Sequence, residues 1–152
     1  MSTSIYQIDN WATSTNYSVD DIVLSNNLYY YCLQNHSSTP SFSDDLNSGK
    51  WGGNISFNGV NKSFFIWKPS YGYRNNNEPK IKEIKYGDSY SQTLNDGLNN
   101  LLINAEYEFN ERSLSEFSAI LHFLTARSGS ESFLFNCPSP RSQLKLFRCK
   151  RF

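Results

Sequence analysis

The sequence predicts a mainly β protein with one α-helix, preceded by a small β-hairpin module. The 152-residue chain is rich in Asn, Ser, Tyr and Phe but poor in Ala and Met, a composition that favours strands and turns over helices. Hydrophobic residues alternate along short segments, whereas one segment has the apolar spacing of a helix. The length allows one ordinary domain or two small ones.

A polar, glycine-containing stretch separates two parts of different texture. We therefore expect a small β module at residues 1–52, a linker at 53–61 and a second domain at 62–152.

The small module is predicted to contain a hairpin. Residues 21–25 and 28–33 have strand-like content, and Asn26-Asn27 between them tolerate the positive φ of a tight turn. The core of such a small unit is expected to come from its large aromatic side chains. These are Trp11, Tyr17, Tyr30 and Trp51.

Three strands are predicted in the second domain before its helix. They cover residues 64–67, 80–86 and 101–109. The third has the cleanest pattern, because apolar and polar residues alternate along it. The run of three asparagines at 75–77 is predicted to be a loop.

The helix is predicted to begin at Ser113, which forms a capping box with Glu116, and to end near Arg127, ahead of Gly129. Its apolar face is expected to lie on a sheet. The residues of that face are Leu114, Phe117, Ile120, Leu121 and Leu124. Two short strands, at 132–136 and 143–152, are predicted to follow it.

Charge and composition exclude several classes of partner. The fourteen basic and fourteen acidic residues balance, so no overall field attracts nucleic acid or an anionic membrane. No apolar run approaches the roughly 20 residues of a membrane helix, and the N-terminus does not resemble a signal peptide. The three cysteines are odd in number and lack a CxxC spacing, which indicates reduced thiols in a protein made in the cytoplasm.

We expect no catalytic, metal or cofactor site. The groups considered for such a role are Asp20, Asp21, Asp44, Asp45, Cys32, His36 and His122. The carboxylates lack calcium-loop spacing and are expected to be solvated turn residues. The histidines lack partners at ligand spacing, so structural roles are expected for both. A cysteine nucleophile would require an exposed, electropositive setting that the sequence does not indicate.

The stretch from residue 64 onward resembles the minor tail protein M family of lambda-like phages. The resemblance is carried by FIWKPS, PKIKEIKYGDSYSQ, SLSEFSAILHFLTARSGSESFLF and NCPSP. It implies a tail-tube-like β-sandwich or split barrel with one flanking helix. It also implies a virion protein, not an enzyme, that forms a homo-oligomeric ring of about six copies between the tail tube protein and other tail-tip proteins. Relatives continue with further strands after the last motif, so a neighbouring copy is expected to complete the sheet unless the chain is truncated.

The most specific element is YGDSYSQ at 86–92, which family members carry as Y/F-G-D-G-Y-S-Q. We expect it to be a rigid subunit contact, and the alternative is a simple turn between two strands. The residues proposed for this contact are Tyr86, Gly87, Asp88, Tyr90 and Gln92.

A basic cluster near the C-terminus is the second candidate for a subunit contact. Its members are Arg141, Lys145, Arg148, Lys150 and Arg151, and the last three are the candidates for the contact. One alternative is that the cluster contacts DNA passing through a tail, although strong binding there would impede DNA release. The other is that it is the exposed surface of an ordinary solvated strand. No specific nucleic-acid partner is expected.

The N-terminal part resembles small chitin-binding modules. The matching skeleton is Trp11, Tyr17, Asp21-Ile22-Val23, Tyr30, Cys32, His36, Pro40 and Trp51. The resemblance implies a carbohydrate-binding-like module that binds a host-surface glycan. The alternative function of the protein is therefore carbohydrate binding that aids adsorption to the host surface. The aromatic residues proposed to contact the glycan are Tyr29, Tyr31, Phe42 and Trp51, although each is equally suited to the core.

Overall fold

The computed structural model describes residues 8–70, 74–98, 101–138 and 142–152. Thirteen strands and two helices lie within these residues. The first part contains β1 (Asn16–Tyr17), β2 (Ile22–Ser25), β3 (Leu28–Cys32), β4 (His36–Ser37), α1 (Phe42–Asn47), β5 (Trp51–Gly52), β6 (Asn54–Phe57) and β7 (Val60–Phe65). The second part contains β8 (Arg74–Pro79), β9 (Ile81–Lys85), β10 (Ser91–Asn95), β11 (Leu101–Glu106), α2 (Leu114–Ala126), β12 (Phe133–Asn136) and β13 (Leu144–Phe147).

The chain divides into two compact units. The described residues within Met1–Lys68 and Glu111–Phe152 form the first, which we call the aromatic unit. The second, Pro69–Asn110, consists of strands β8 to β11 and their connections, and we call these four strands the ribbon.

The predicted hairpin of the N-terminal module is confirmed. Strands β2 and β3 pair antiparallel, with Ser25 opposite Leu28. Asn26 and Asn27 have φ values of 50° and 61°, as a two-residue turn with left-handed residues requires. Strand β5 extends this sheet on the far side of β3.

An aromatic cluster fills the module beneath this sheet, as the sequence predicts. The buried members are Val23, Tyr30, Cys32 and Trp51, and Trp11, Tyr17, Leu28, Phe42 and Leu46 pack against them. Helix α1, which the sequence did not indicate, supplies Phe42 and Leu46 to this core.

A four-stranded sheet in the order β13-β12-β7-β6 forms the other half of the aromatic unit. Its strand β12 is parallel to β7 and antiparallel to β13. Three consecutive residues of β12 are buried, because β12 lies inside the sheet and has apolar cover on both faces. The predicted strand at 64–67 ends earlier, at Phe65, and the strand itself begins at Val60.

Helix α2 packs against the rest of the aromatic unit mainly through the ring of Phe123. Phe123 is fully buried and lies within 5.9 Å, between ring centroids, of Phe65, Trp67, Phe133 and Tyr31. Because Tyr31 belongs to β3 of the N-terminal module, this contact joins the module directly to α2. The two parts therefore share one aromatic core.

The buried face of α2 differs from the predicted one. The buried residues are Ala119, Ile120, His122 and Phe123, whereas Leu114 and Phe117 are 81% and 54% exposed. The predicted face followed the leucine spacing, but the burial of Phe123 among four aromatic rings decides the orientation of the helix. The prediction was therefore wrong for Leu114 and Phe117.

The capping box at the start of α2 is half formed. The Ser113 hydroxyl accepts a hydrogen bond from the Glu116 amide at 3.2 Å. The Glu116 carboxylate is bound at 2.7 Å by Arg112 rather than by the Ser113 amide. The helix thus begins at its predicted residue, but an ion pair replaces the second bond of the box.

The ribbon consists of two consecutive antiparallel ladders. Strand β8 pairs with β11, and β9 pairs with β10. The predicted strands at 80–86 and 101–109 are β9 and β11. The predicted asparagine loop at 75–77 was wrong, because these residues pair with β11 within β8 and the pairing outweighs the weak strand preference of asparagine. Strand β10 was not predicted, because its residues are mostly polar and all exposed.

The mainly β class with a helix flanking a sheet is confirmed, and the described sheets do not close into a barrel. Residues 53–61, expected as a linker, contain β6 and the turn into β7. The division of the chain into separate domains at 1–52 and 62–152 stays a prediction.

Candidate functional site

The YGDSYSQ element forms the closed end of the ribbon. The Tyr86 amide donates to the Tyr90 carbonyl at 2.8 Å, so three residues make the loop between β9 and β10. The two tyrosine rings lie on the same side, with centroids 5.7 Å apart, and the Tyr86 hydroxyl donates to Gln92 Oε1 at 3.4 Å. These side chains form one cluster that is open to solvent, because Tyr86 and Tyr90 are 49% and 64% exposed.

The left-handed residues of this loop are not its glycine. Asp88 and Ser89 have φ values of 68° and 62°, whereas Gly87 does not have a positive φ. The backbone freedom of glycine is therefore needed at Asp88 and Ser89 and not at Gly87. Ser89 stands where the related element has glycine, which is the residue that a left-handed φ favours.

A small depression lies beside this loop. Its volume is about 260 Å³, which is below the roughly 300–1,000 Å³ of typical small-molecule sites. The residues that line it are Glu83, Lys85, Tyr86, Ser89, Tyr90 and Ser91. Its shallow, polar surface suits contact with another protein better than enclosure of a ligand.

The part of the ribbon formed by β9 and β10 buries little of its own surface. Strands β9 and β10 are exposed along their length apart from Ile84, which is half-buried. Isolated two-stranded hairpins are marginally stable in water because they bury little apolar surface. A partner surface would supply that burial.

The basic residues near the C-terminus lie on or beyond the edge strand β13. Arg148, Lys150 and Arg151 are exposed, and none of them belongs to the two ion pairs found among the described residues. Strand β13 also exposes Leu144 and Leu146, and β12 is its one neighbour in the described sheet. An edge of this kind can accept a further strand.

The aromatic residues proposed to contact a glycan are mostly in the core. Tyr31 and Trp51 are 0% and 3% exposed, so their rings have no free face for a sugar, and the prediction is wrong for these two residues. Tyr29 is half-buried, and its ring contacts His122 with centroids 4.8 Å apart. Phe42, also half-buried, packs edge-on against Trp11 and Tyr30.

The pair Cys32 and His36 is close enough to suggest a reactive thiol. Cys32 Sγ lies 3.6 Å from His36 Nδ1 and donates to the Gln34 carbonyl at 3.1 Å. Burial raises the pKa of the Cys32 thiol, however, and a nucleophilic cysteine needs a lowered one. The arrangement favours a packed, protonated thiol.

The carboxylate pairs also have structural contacts. Asp45 is fully buried, accepts from Lys50 Nζ at 2.9 Å and accepts from the Thr39 amide at 3.1 Å. Burial acts to raise the pKa of Asp45, but these bonds lower it below its ordinary value. The expectation of a solvated turn residue is therefore wrong for Asp45. Asp20 accepts from the Trp67 indole at 3.4 Å, and burial raises the pKa of its carboxyl.

A buried polar group around His122 was not found from the sequence. His122 Nδ1 lies 3.0 Å from the Tyr31 hydroxyl, and Arg127 donates to the Phe123 carbonyl at 2.6 Å with its guanidinium stacked 3.6 Å from the centre of the Phe123 ring. Burial, together with the nearby Arg127 charge, lowers the pKa of His122. Residues 91 positions apart form this contact, and no local motif indicates such a pair.

The described residues contain no group of three or more metal-binding side chains close enough to share an ion. Within the same residues, no helix has the length and apolar character needed to cross a membrane.

A solid aromatic core with an exposed, weakly supported ribbon is typical of a structural protein that works through contacts with other proteins. Residues 63–152 match the family described as phage minor tail protein. Because the match covers more than half of the 152 residues, the chain belongs to this family. The protein is accordingly a structural component of the phage tail, and the family is not an enzymatic one. No curated protein matches the sequence.

Proposed function

We propose that this protein forms a ring at the tail tip that joins the tail tube to the tip complex. The ribbon is the observation that carries the proposal, because its strands β9 and β10 are solvent-exposed while the aromatic unit has a complete core. A subunit with one stable body and one unsupported ribbon gains burial by assembly. A closed ring of about six copies uses the same contact at every interface.

The tyrosine cluster is the proposed centre of the contact between subunits. Tyr86, Tyr90 and Gln92 present two aromatic rings and one amide on a single surface. Tyrosine is frequent at protein interfaces because a large rigid ring buries area while its hydroxyl stays hydrogen-bonded. The proposed partners are further copies of this chain, the tail tube protein and other tail-tip proteins.

The basic residues are proposed to form a second, weaker contact. Arg148, Lys150 and Arg151 lie on or beyond an edge strand, where they can bind an acidic surface of a neighbouring ring. Exposed ion pairs contribute about 0.2 to 1 kcal/mol each, so this contact directs orientation more than it supplies affinity.

The proposal is tested in assembled particles. Reconstruction of the intact tail should place this protein in a ring of about six copies, and the double variant Tyr86→Ala/Tyr90→Ala should reduce its incorporation at least tenfold. Val60→Ala is the matched control, because Val60 is 56% exposed and lies in the aromatic unit. A monomer that is absent from virions would refute the proposal.

Glycan recognition by residues 1–52 has less support. Tyr31 and Trp51 are core residues, and Tyr29 packs edge-on against His122. Deleting the module would remove Tyr31 from the core shared with Phe123, so point variants test this role better than truncation does. Equal retention of wild type and Phe42→Ala on chitin and on host glycan would argue against sugar binding.

A further inference from the structure

Helix α2 is apolar on two opposite faces. One face is buried against the aromatic unit through Phe123 and its neighbours. The residues on the other side of the helix, at 100° per residue, are Leu114, Phe117, Ser118, Leu121 and Thr125. We call these five residues the outer face of α2, and none of them is charged.

The outer face lacks the polar character of a solvent-facing helix surface. A helix on the surface of a protein ordinarily has charged residues opposite its buried side, whereas a helix that is apolar all round is covered on both sides. Leu114 and Phe117 are exposed, whereas Ser118, Leu121 and Thr125 are half-buried. Leu114 and Phe117 lie three positions apart, so their side chains are neighbours. This combination indicates that another surface covers α2.

The ribbon has a matching surface. Cross-strand neighbours share a face, so Ile84 lies beside Gln92, and Leu94 lies beside Lys82. The Tyr86 and Tyr90 rings are on this same face by strand alternation. The opposite face holds Ile81, Glu83 and Lys85, and their cross-strand partners are small polar residues. We call the first face the tyrosine face of the ribbon.

The charges around the two surfaces are compatible. Lys82 is the single charged residue on the tyrosine face of β9 and β10, and the exposed Glu111 lies just before α2. Uncharged surfaces can meet without the cost of desolvating an ion, and the opposite charges can pair at the border. The exposed leucines of β13 form a less suitable partner, since they share their face of that strand with Arg148.

We propose that the outer face of α2 binds the tyrosine face of the ribbon from the adjacent copy of the chain. The inference rests on the proposed ring and specifies which two surfaces meet at each interface. Because the two surfaces are different, the contact is head-to-tail, and a head-to-tail contact forms a ring when the rotation between successive copies closes. Residues of both surfaces lie within the matched family region, 63–152.

The areas of the two surfaces determine how much of the interface they can form. A large aromatic side chain can bury about 150–250 Å², and Phe117, Tyr86 and Tyr90 are 54%, 49% and 64% exposed, so about half of that area is available at each. A standard interface buries about 800 Å² per partner. The two surfaces therefore form the centre of the interface, and the backbone edges of the ribbon contribute the remainder.

Photo-crosslinking within assembled phage tails tests this contact directly. The photoreactive residue p-benzoylphenylalanine replaces Phe117 in the full-length protein, and particles are assembled from a mixture of isotopically heavy and light copies. We expect heavy-to-light crosslinks that map to residues 82–94. The same replacement at Val60 serves as the control and should give no crosslinks to that range. Crosslinks from position 117 to another tail protein or to its own chain, or none between copies, would overturn the proposal.

Charge exchange provides a second test that does not depend on crosslinking chemistry. Phe117→Asp and Tyr90→Lys should each reduce incorporation into tails at least tenfold, and the double variant should recover most of it because the new charges face each other across the interface. Unchanged tryptophan fluorescence melting would show that the variants are folded. Wild-type incorporation of Phe117→Asp, or absence of recovery in the double variant, would reject this pairing. An intact ring in either case would leave the proposed function standing.

Discussion

The aromatic unit and the ribbon are stabilised by different interactions. In the aromatic unit, Phe123, Tyr31 and Leu134 are completely buried, and rings from the N-terminal module and from α2 share one core. In the ribbon, β9 and β10 pair with each other while most of their side chains face solvent. The first is stable because it buries apolar area, and the second is held mainly by backbone hydrogen bonds.

Because of this difference, the subunit can fold without being assembled. A core that is complete within one chain lets the subunit fold before it meets a partner, whereas an unsupported ribbon acquires its stability from the partner. Local instability of a binding element is compatible with a stable protein when the two lie in separate cooperative units. Substitutions in one unit should therefore leave the stability of the other unchanged.

The largest expected effect comes from removing the central ring. Phe123→Ala should lower the free energy of unfolding of the aromatic unit by about 3 to 5 kcal/mol, because it leaves a cavity among four aromatic neighbours. Tryptophan fluorescence measures this unit alone, since all three tryptophans, Trp11, Trp51 and Trp67, lie in it. Ile81→Ala on the ribbon is the matched control and should change that transition by less than about 0.5 kcal/mol.

Substitution of the glycine between β5 and β6 should give the next largest loss of stability. Gly53 has a φ of 116°, and an added Cβ would lie 2.7 Å from the Tyr31 ring. Gly53→Ala should therefore cost about 2 to 3 kcal/mol from backbone strain and overpacking. Gly59→Ala isolates the strain, because Gly59 has a φ of 76° but nothing within 4 Å of a new Cβ. Equal losses of unfolding free energy for the two variants would contradict the clash.

Acidification should weaken the aromatic unit and not the ribbon. His122 has a folded-state pKa below its unfolded value of 6.5, so the unfolded chain takes up the proton first and stability falls as the pH drops below about 6.5. The groups around it are Arg127, Tyr31 and Tyr29. The slope for one proton is at most about 1.4 kcal/mol per pH unit. Denaturant titrations at several pH values should show this slope in wild type and its loss in His122→Gln.

The smallest effect concerns the loop of the ribbon. Ser89→Gly should stabilise the loop by about 1 kcal/mol, because Ser89 has a φ of 62° and glycine adopts this conformation without strain. Gly87→Ala should change it by less than about 0.5 kcal/mol, since Gly87 has no positive φ and nothing lies within 4 Å of a new Cβ. Hydrogen exchange of the Tyr86 amide, which is bonded to the Tyr90 carbonyl, measures both. A larger loss for Gly87→Ala than gain for Ser89→Gly would contradict this account of the loop.

Much of the aromatic unit could be predicted from local patterns. The Asn26-Asn27 turn, the start of α2 at Ser113 and the apolar strand β12 are each specified by neighbouring residues. The contact of Tyr31 with Phe123 and His122 could not be predicted, because it joins residues far apart in sequence. Helix α1 is too short for periodicity to indicate it.

Strands β8 and β10 of the ribbon were harder to predict, because their described side chains are exposed and bury no face within the chain. Without burial there is no alternation for β10 to show, and the asparagines of β8 are extended only because β11 pairs with them. The same reasoning explains the error in α2. Of the residues that this spacing marks, Ile120 is buried and Leu121 and Leu124 are half-buried, whereas Leu114 and Phe117 are exposed in the single chain. Apolar spacing marks a face but does not distinguish one that is covered within the chain from one that is left exposed.

Hydrogen–deuterium exchange of the free chain and of assembled tails tests the central claim most directly. The ribbon amides of β9 and β10 should exchange at least tenfold more slowly in assembled tails than in the free chain, because a partner then covers them. The core amides of β12 should exchange equally slowly in both states. Ribbon amides that exchange as fast in the particle as in the free chain would contradict the claim that the ribbon is the assembly surface.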